Sequence, residues 1–353
     1  MTQMTTVEVR PVSEAVDRTL STFPRLRYMG SKYRLIPRLA EVFADIGGST
    51  AVDGFSGSGV VSYLLKNLGY SVTSNDFLNF PTAIATATTV NGSQKLTKAE
   101  IAAICGPPAD DRDFIRTTFD GMYFTPEDRE FLDSAWSHID LLSKNKKAVA
   151  ISALVLSAAR RQPRGVFTFT DVNRYNDGRR DMELSLREHF KQHALAYNKT
   201  VFSNGRRHKA TTGDVLDVPT GADLVYLDPP YAPPRDDADY MKRYHFLEGL
   251  SVYWRGQEIM ENTATKKIVK KYTPFAYPRT VEEAMRNVFK HFHESTIVLS
   301  YGSNAVPDAD TIVKLLGEVK SDVEMIPIPH TYTFGTHATA ARKEAAEYLF
   351  IAR

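Results

Sequence analysis

The chain has 353 residues, of which 42% are hydrophobic and 24% charged, and its formal net charge is +2. This composition is typical of a globular protein, and no stretch approaches the roughly 18 consecutive apolar residues that a membrane-spanning helix needs. The single cysteine, Cys105, excludes a disulfide framework and a cysteine-based zinc cluster. The polar N-terminus resembles no signal or transit peptide, so we expect a cytoplasmic protein. We also expect no membrane partner and no bound metal.

The first regular element is predicted after a loosely ordered lead-in that ends near residue 24. Apolar residues then recur at helical spacing from Leu35 to Phe43. Ser31 is the expected N-cap of this helix, and Pro37 is expected in its first turns.

A βαβ unit follows in "STAVDGFSGSGVVSYLLKNLGYSVTSNDFL". Ala51–Asp53 is predicted to end a strand, Gly54–Gly59 to form a glycine-rich turn, Val60–Leu68 to form a helix and Ser71–Asn75 to form a second strand. This unit predicts an α/β fold with a doubly wound sheet.

The distance between the second strand and the later ones predicts an insertion. Asp76 and Leu224 are 148 residues apart, whereas the elements needed to join them take about 50. We therefore divide the chain into 1–91 and 208–353, which form one doubly wound domain, and an inserted, mainly helical domain at 92–207. A buried helix is expected there at Ala148–Ala159.

The doubly wound pattern resumes after the insertion. Strands are predicted in "KATTGDVLDV", "ADLVYLD" and "STIVLSYGS", and the sequences "VEMIPIPHTYTF" and "EYLFIAR" predict a closing antiparallel pair. The strand in "ADLVYLD" is expected to end at Asp228.

Positive charge is concentrated in two places. Ile151 to Ala210 contains twelve Lys and Arg against five Asp and Glu, and a second basic run, "KKIVKK", covers Lys266 to Lys271. Such runs are often solvated faces, but two of them in one chain favour a polyanionic partner.

The glycine-rich turn "DGFSGSG" lies between a strand and a helix, which is the context of a nucleotide-type ligand. Asp76, 23 residues after Asp53, is placed to accept hydrogen bonds from ribose hydroxyls. Ser62 departs from the full dinucleotide pattern, and Asp53 would repel a pyrophosphate. A ligand with a cationic amino-acid end, such as S-adenosylmethionine, fits better, although Asp53 could instead cap the following helix.

The second chemical motif is "LDPPY". Asp228 ends a strand, and the two prolines after it lie beyond the ladder of the sheet and stiffen the loop. A carboxylate and the Pro229 carbonyl could accept hydrogen bonds from a ring-conjugated amino group, localise its lone pair and make it nucleophilic. Tyr231 would stack on the ring, and no metal is needed.

Together these motifs resemble the Dam-like, D12-class DNA N6-adenine methyltransferases of the alpha group. The matching segments are "RYMGSK", "DGFSGSG", "SND", "GDV" and "DPPYAP" followed by "YMKRYHF". The resemblance implies a Rossmann-like methyltransferase sheet with an antiparallel last strand, and it makes the insertion a target recognition domain. The catalytic residues that it implies are Asp228, Pro229, Pro230 and Tyr231. The S-adenosylmethionine-binding residues that it implies are Tyr28, Gly30, Lys32, Asp53, Phe55, Ser56, Gly57, Ser58, Asp76, Phe77, Asp214, Val215 and Asp228.

The expected partner is double-stranded DNA, with the target adenine flipped out of the duplex because a pocket cannot enclose a stacked base. The side chains expected to contact DNA are Arg160, Arg161, Arg164, Arg174, Arg179, Arg180, Tyr244 and His245. The enzyme would serve a restriction–modification system, with a possible restriction endonuclease companion, or act as an orphan or phage methylase.

Other functions stay open from the sequence. They are methylation of adenine in RNA or of cytosine N4, a non-catalytic DNA-binding regulator on the same fold, and a nicotinamide dehydrogenase. Asp228 argues against the cytosine enzymes, which more often carry Ser at this position.

Overall fold

A computed structural model describes residues 10–162, 165–171, 178–233, 240–333 and 342–353. Within these residues seven strands form one sheet in the order β3-β2-β1-β4-β5-β7-β6. The strands are β1 Thr50–Asp53, β2 Ser71–Asp76, β3 Lys209–Thr212, β4 Leu224–Leu227, β5 Thr296–Gly302, β6 Val323–Thr333 and β7 Arg342–Ala352. The first five are parallel, and β7 runs antiparallel to both β5 and β6. The predicted doubly wound sheet with an antiparallel end is confirmed.

Thirteen α-helices are present in the described residues, and some of them cover the two faces of the sheet. They are α1 Val12–Thr22, α2 Ile36–Ile46, α3 Val60–Asn67, α4 Asn79–Ala85, α5 Lys98–Ile104, α6 Phe114–Thr118, α7 Pro126–Ile139, α8 Lys144–Arg160, α9 Arg180–Glu183, α10 Leu186–Thr200, α11 Tyr240–Val252, α12 Val281–His291 and α13 Ala309–Gly317. A π-helical turn, Thr86–Val90, follows α4.

The central strand β4 shows how the sheet is buried on both faces. Its residues alternate between two hydrophobic clusters, with Leu224 and Tyr226 in one and Val225 and Leu227 in the other. The first cluster contains residues of α2, α3 and α8, and the second contains those of α12 and α13. A strand covered on both faces reads as a continuous apolar run, which is why "LVYL" carries no charged residue.

The expected lead-in is wrong for residues 12–22, which form α1. Ala15 and Thr19 are buried on one side of it, and the helix packs against α2 and α3. The helical spacing of Val12, Ala15, Val16 and Thr19 is the sequence pattern that indicates this helix. Ser31 precedes a 3₁₀ turn, Lys32–Arg34, and α2 itself begins at Ile36.

The predicted buried helix of the insertion is present as α8. All residues from Ala148 to Ala159 are buried in it, and it packs against α4, α10 and α11. A helix that is apolar on every side must be enclosed by other elements. The division of the chain at residues 91 and 207 stays a prediction.

Candidate active site

The candidate site lies where parallel strands end. Asp53 ends β1 and Asp76 ends β2, while Asp228 directly follows β4, which ends at Leu227, one residue before the predicted strand end. Because these strands are parallel neighbours, their carboxyl ends meet at one edge of the sheet, where α/β proteins bind ligands. A cavity of about 80 Å³ lies there. Its lining includes Tyr28, Phe55, Gly57, Asp76, Phe77, Asp228 and Pro230.

The glycine-rich turn is tied to the neighbouring strand β2. The backbone N–H of Gly57 donates to Asp76 Oδ2 at 2.8 Å, and that of Ser56 donates to the Asn75 carbonyl at 2.8 Å. Gly57 has φ +45°, and a Cβ on it would lie 2.9 Å from Tyr28 Cε1. Glycine is therefore required at this position for both conformation and space. Ser56 and Ser58 are buried within the same turn.

Asp53 is fully buried beneath this turn. Its Oδ2 accepts a hydrogen bond from Ser62 Oγ at 2.6 Å, whereas its Oδ1 has no hydrogen-bond partner among the described residues. Burial raises the pKa of this carboxyl to about 7, with further contributions from the charges of Asp228 and Asp76. Ser62 lies in the first turn of α3, whose N-cap residue is Gly59, and the helix-capping alternative for Asp53 stays a prediction. The second oxygen remains available for a cationic ligand.

Asp76 joins the end of β2 to the residues that follow. Besides Gly57, its carboxylate accepts the N–H of Leu78 at 2.9 Å through Oδ1. Burial raises the pKa of Asp76 to about 6, although the hydrogen bonds from these two backbone N–H groups act to lower it. Each carboxylate oxygen has a further lone pair, so the side chain can still accept ligand hydroxyls from the cavity that it lines.

Asp228 forms a buried ion pair with Lys32. Lys32 Nζ lies 2.7 Å from Asp228 Oδ1, and the two side chains are 5% and 17% exposed. Burial raises the pKa of Asp228 to about 6, although the Lys32 charge acts to lower it. Burial alone would lower the pKa of Lys32, but attraction to Asp228 and Glu347 outweighs it and leaves that pKa above its usual value.

Glu347 on β7 is a site residue that the sequence reasoning missed. Its Oε1 lies 3.3 Å from Lys32 Nζ and accepts a hydrogen bond from the Tyr231 hydroxyl. The β5–β7 register pairs Glu347 with Gly302, and the Tyr231 ring lies against that glycine. The only sequence signal was an acid within the otherwise apolar strand "EYLFIA".

Tyr28 lies between the glycine-rich turn and α11. Its ring stacks on Tyr244 with centroids 4.9 Å apart and approaches Tyr240 at 5.5 Å. The Tyr244 hydroxyl accepts the N–H of Met29 at 2.8 Å. Tyr244 is 1% exposed, so in this structure its side chain holds the 28–32 segment and offers no surface to DNA.

His245 is also fully buried. Its Nε2 lies 2.9 Å from the Phe167 carbonyl, and burial lowers its pKa to about 4, which keeps the ring neutral near pH 7. This geometry gives His245 a packing position in the absence of DNA, and the DNA contacts of His245 and Tyr244 stay predictions.

Six of the thirteen predicted cofactor residues line the smaller cavity, and the other seven do not, namely Gly30, Lys32, Asp53, Ser56, Ser58, Asp214 and Val215. Asp214 is exposed, and its Oδ1 accepts the N–H of Leu216 at 3.0 Å, capping a turn after β3. Val215 is buried in the second hydrophobic cluster against Gly54. Their contact with a cofactor stays a prediction.

The predicted DNA-contacting arginines occupy different environments. Arg161 is 15% exposed and bonds to Asp128 and the Met182 carbonyl, so it joins the end of α8 to α7 and α9. Arg179 and Arg180 are exposed at the start of α9. Arg164 and Arg174 lie outside the described residues.

A second, larger cleft is basic. It has a volume of about 450 Å³ and adjoins the ion pair, because Lys32 and Glu347 line it. Arg160 is the only residue predicted to contact DNA that lines this cleft within the described residues. The other arginines in its wall come from the segment before α2, namely Arg25, Arg27 and Arg34. We call this feature the arginine cleft.

The basic run "KKIVKK" lies partly at the smaller cavity. Lys270 and Lys271 line that cavity together with Thr273. Lys271 Nζ is 3.8 Å from Glu248, which in turn accepts the N–H of Asn79 at the start of α4. These two lysines thus border the candidate cofactor site.

The described residues contain no group of three or more His, Cys, Asp or Glu that could hold a metal ion. Among the same residues, no helix is both long and apolar enough to cross a bilayer.

Comparison with known proteins agrees with this geometry. Residues 28–300 match the family described as D12 class N6 adenine-specific DNA methyltransferase, and the chain belongs to that family. It is therefore a DNA methyltransferase of the adenine-specific class.

Two relatives extend the comparison. The chain is 26% identical over 325 residues to the Type II methyltransferase M2.HphI of Haemophilus parahaemolyticus, an alignment that covers 88% of this chain and 92% of that one. It is 24% identical over 358 residues to the Modification methylase StsI of Streptococcus sanguinis, which covers 92% of this chain and about half of that protein, 51%.

Proposed function

We propose that this protein transfers a methyl group from S-adenosylmethionine to N6 of an adenine flipped out of double-stranded DNA at a specific site. The observation that carries the proposal is the Asp228 carboxylate at the end of β4, paired with Lys32 and lying in the same cavity as the glycine-rich turn. Asp228, Pro229, Pro230 and Tyr231 are the proposed catalytic residues.

The residues around the cavity fit the proposed cofactor. Asp53, which lies beneath the glycine-rich turn and not in the cavity lining, has one carboxylate oxygen without a hydrogen-bond partner among the described residues, which suits an ammonium group. Asp76 retains acceptor capacity for ribose hydroxyls, and Phe55 and Phe77 supply apolar surface. The cofactor would supply the activated methyl group.

The chain's own part in the chemistry is to prepare the amino group. An exocyclic amine conjugated to a purine is a weak nucleophile because its lone pair is delocalised. Ionised Asp228 and the Pro229 carbonyl would accept its two N–H bonds, localise the lone pair and stabilise the positive charge that develops on the base. Tyr231 would hold the ring by stacking, which is worth about 1–3 kcal/mol per base.

Flipping follows from where Asp228 lies. Its side chain is 17% exposed behind a strand end, and an amino group within a stacked duplex cannot reach it. Extrusion costs a few kcal/mol, and cationic side chains that hold the flanking phosphates would offset that cost. A cytoplasmic location, where DNA and the cofactor meet, fits this activity.

A role in restriction–modification fits the names of the two relatives, a Type II methyltransferase and a modification methylase. We propose a companion restriction endonuclease on that basis, with an orphan or phage methylase as the alternative.

The test compares wild type with Asp228→Ala, using methyl-labelled cofactor and mixed-sequence DNA followed by digestion to nucleosides. We expect N6-methyladenine from wild type, and a loss of turnover of about 10³-fold or more in Asp228→Ala because the acceptor and its charge are removed. Equilibrium binding of the cofactor should persist.

Asp310→Ala, which removes an exposed acid in the first turn of α13, is the matched control and should keep full activity. Labelled N4-methylcytosine, label in RNA alone, or equal turnover by Asp228→Ala would each contradict the proposal. DNA binding without any methyl transfer by wild type would favour the regulator.

A further inference from the structure

We propose that Glu347 is a positioning residue for methyl transfer. It keeps the Lys32 ammonium paired with a carboxylate when the target amino group replaces that ammonium at Asp228. The inference rests on the proposed function and adds a residue from the antiparallel end of the sheet to the site.

The Lys32 ammonium has three oxygen atoms around it in the described structure. Its Nζ lies 2.7 Å from the Gly30 carbonyl, 2.7 Å from Asp228 Oδ1 and 3.3 Å from Glu347 Oε1. An ammonium group has three N–H bonds, so each can be directed to one acceptor. The cluster contains one positive and two negative charges.

Lys32 also occupies space that the target base requires. Its Nζ lies 4.8 Å from the centroid of the Tyr231 ring. The proposed chemistry needs both the Asp228 carboxylate and a face of that ring for the adenine. The ammonium and the target amino group compete for this region, so Lys32 must shift when the base enters.

A shift is feasible only if Lys32 keeps a counterion. The side chain is 5% exposed, and a buried ammonium without a paired anion is strongly disfavoured. Glu347 is equally buried and already within 3.3 Å, and the Gly30 carbonyl provides a second contact. Lys32 can therefore turn from Asp228 toward Glu347 without leaving the cluster.

The same carboxylate orients the stacking platform. The Tyr231 hydroxyl donates to Glu347 Oε1, and a Cβ on Gly302 would lie 3.0 Å from Tyr231 Cδ2. Glu347 on β7 accepts the hydrogen bond and Gly302 on β5 contacts the ring, and these two residues are paired in the sheet. Glu347 thus acts on the reaction through Lys32 and Tyr231.

Glu347→Gln tests the proposal because glutamine keeps the shape and an acceptor for Tyr231 but removes the charge. Lys32 then depends on Asp228 for its counterion and resists displacement. We expect kcat for DNA methylation to fall about 10-fold or more, while equilibrium binding of the cofactor is unchanged.

The pH profile separates this role from a purely structural one. Glu347 raises the pKa of Asp228, so its loss should lower that pKa and move the acidic limb of kcat/KM to lower pH. The ionisable groups coupled to Asp228 across the site are Lys32, Glu347, Asp53, Tyr28, Tyr226, Tyr231 and Tyr240. Near pH 6 the phenols among them stay neutral.

Glu324→Gln is the matched control. Glu324 is a carboxylate of the neighbouring strand β6, 51% exposed and paired with Arg353, so its loss should change neither kcat nor the acidic limb. In a double-mutant cycle, Glu347→Gln should cost less in a Lys32→Met background than in wild type, because there is no ammonium left to retain.

An unchanged kcat with an unmoved acidic limb in Glu347→Gln would overturn the inference, as would a loss of kcat that is fully additive with Lys32→Met. If Glu347→Gln does not fold, Glu347→Asp replaces it, since it shortens the reach to Lys32 by one methylene. A wild-type kcat in that variant would overturn the inference. The product of wild type, measured in the same assay, reports on the proposed function separately.

Discussion

Lys32 controls the ionisation of Asp228 across a 2.7 Å contact. Burial raises the pKa of Asp228 to about 6, and the Lys32 charge opposes that rise. Lys32→Met should therefore raise this pKa further, so that a larger fraction of Asp228 is protonated at pH 7 and cannot accept the amino hydrogen. We expect the acidic limb of kcat/KM to move to higher pH than in wild type.

The measurement is kcat/KM for DNA between about pH 5 and pH 9. Lys314→Met, in the last turn of α13, removes a lysine from a helix outside the cavity lining and should leave the limb in place. An acidic limb at the same pH in Lys32→Met as in wild type would contradict the electrostatic role.

Gly57 is a second residue on which the geometry of the site depends. Its φ is +45°, and an added Cβ would lie 2.9 Å from Tyr28 Cε1. Gly57→Ala should cost about 1–3 kcal/mol through backbone strain and displacement of the tyrosine. We expect cofactor affinity, measured by calorimetry, to fall about 10-fold or more.

Gly221→Ala is the control for left-handed backbone strain without crowding. Gly221 has φ +88°, with nothing within 4 Å of the added Cβ. That variant should bind the cofactor as wild type does, and similar losses of affinity in both variants would show that contact with Tyr28 is unimportant.

The carboxylates at the strand ends were predictable because each belongs to a local pattern of strand, turn and helix. Glu347 was not, because its role depends on the register between β5 and β7 and on Lys32, which lies near the other end of the chain. The burial of Tyr244 and His245 was not predictable either, since a polar residue near a motif gives no sign that tertiary packing will bury it.

At the scale of elements, α11 depends on a close contact between its backbone and an indole ring. A Cβ on Gly249 would lie 2.2 Å from Trp254 Cε2, and Trp254 packs against Phe119 and Phe246. Gly249→Ala forces this cluster apart, and overpacking of this kind costs about 1–3 kcal/mol. We expect a lower midpoint of denaturant unfolding.

Gly317→Ala provides the comparison, since Gly317 ends α13 and nothing lies within 4 Å of its added Cβ. Replacing a helical glycine in open space should leave stability equal or raise it by up to about 1 kcal/mol. Equal destabilisation by both substitutions would contradict the packing argument.

The environments of the side chains on the helices from α5 to α10 were less predictable from the sequence than the strands of the sheet. The apolar run of α8 indicated its position directly, but the charge pattern suggested that the nearby arginines were surface groups. Arg161 instead joins Asp128 of α7 to the Met182 carbonyl. Composition alone cannot distinguish a cation that links helices from one that is free to hold a phosphate.

At the scale of the molecule, the arginine cleft is the surface that we expect to hold the DNA backbone near the site. Arg25 and Arg34 are exposed in its wall, which also includes Lys32 and Glu347 of the active site. Removing one phosphate-binding cation should reduce the slope of log K against log salt by about 0.9. Arg25→Gln combined with Arg34→Gln should therefore weaken DNA binding and reduce the slope by about 1–2.

Binding titrations at several salt concentrations check this expectation. Arg286→Gln removes an arginine of α12 that is paired with Glu282, Glu283 and Glu318, and it should leave the slope unchanged. An unchanged slope in the double variant would place the phosphate contacts elsewhere.

The pairing of β1 with β4 joins residues near 51 to residues near 224 and has a consequence for how the protein matures. A growing chain that has completed the glycine-rich turn still lacks the acid of β4 and the glutamate of β7. Contacts between residues so distant in sequence form slowly, because the chain must lose the conformational entropy of the long loop before the strands can pair. Catalytic competence should therefore be among the last properties acquired during folding, well after the early βαβ unit has formed.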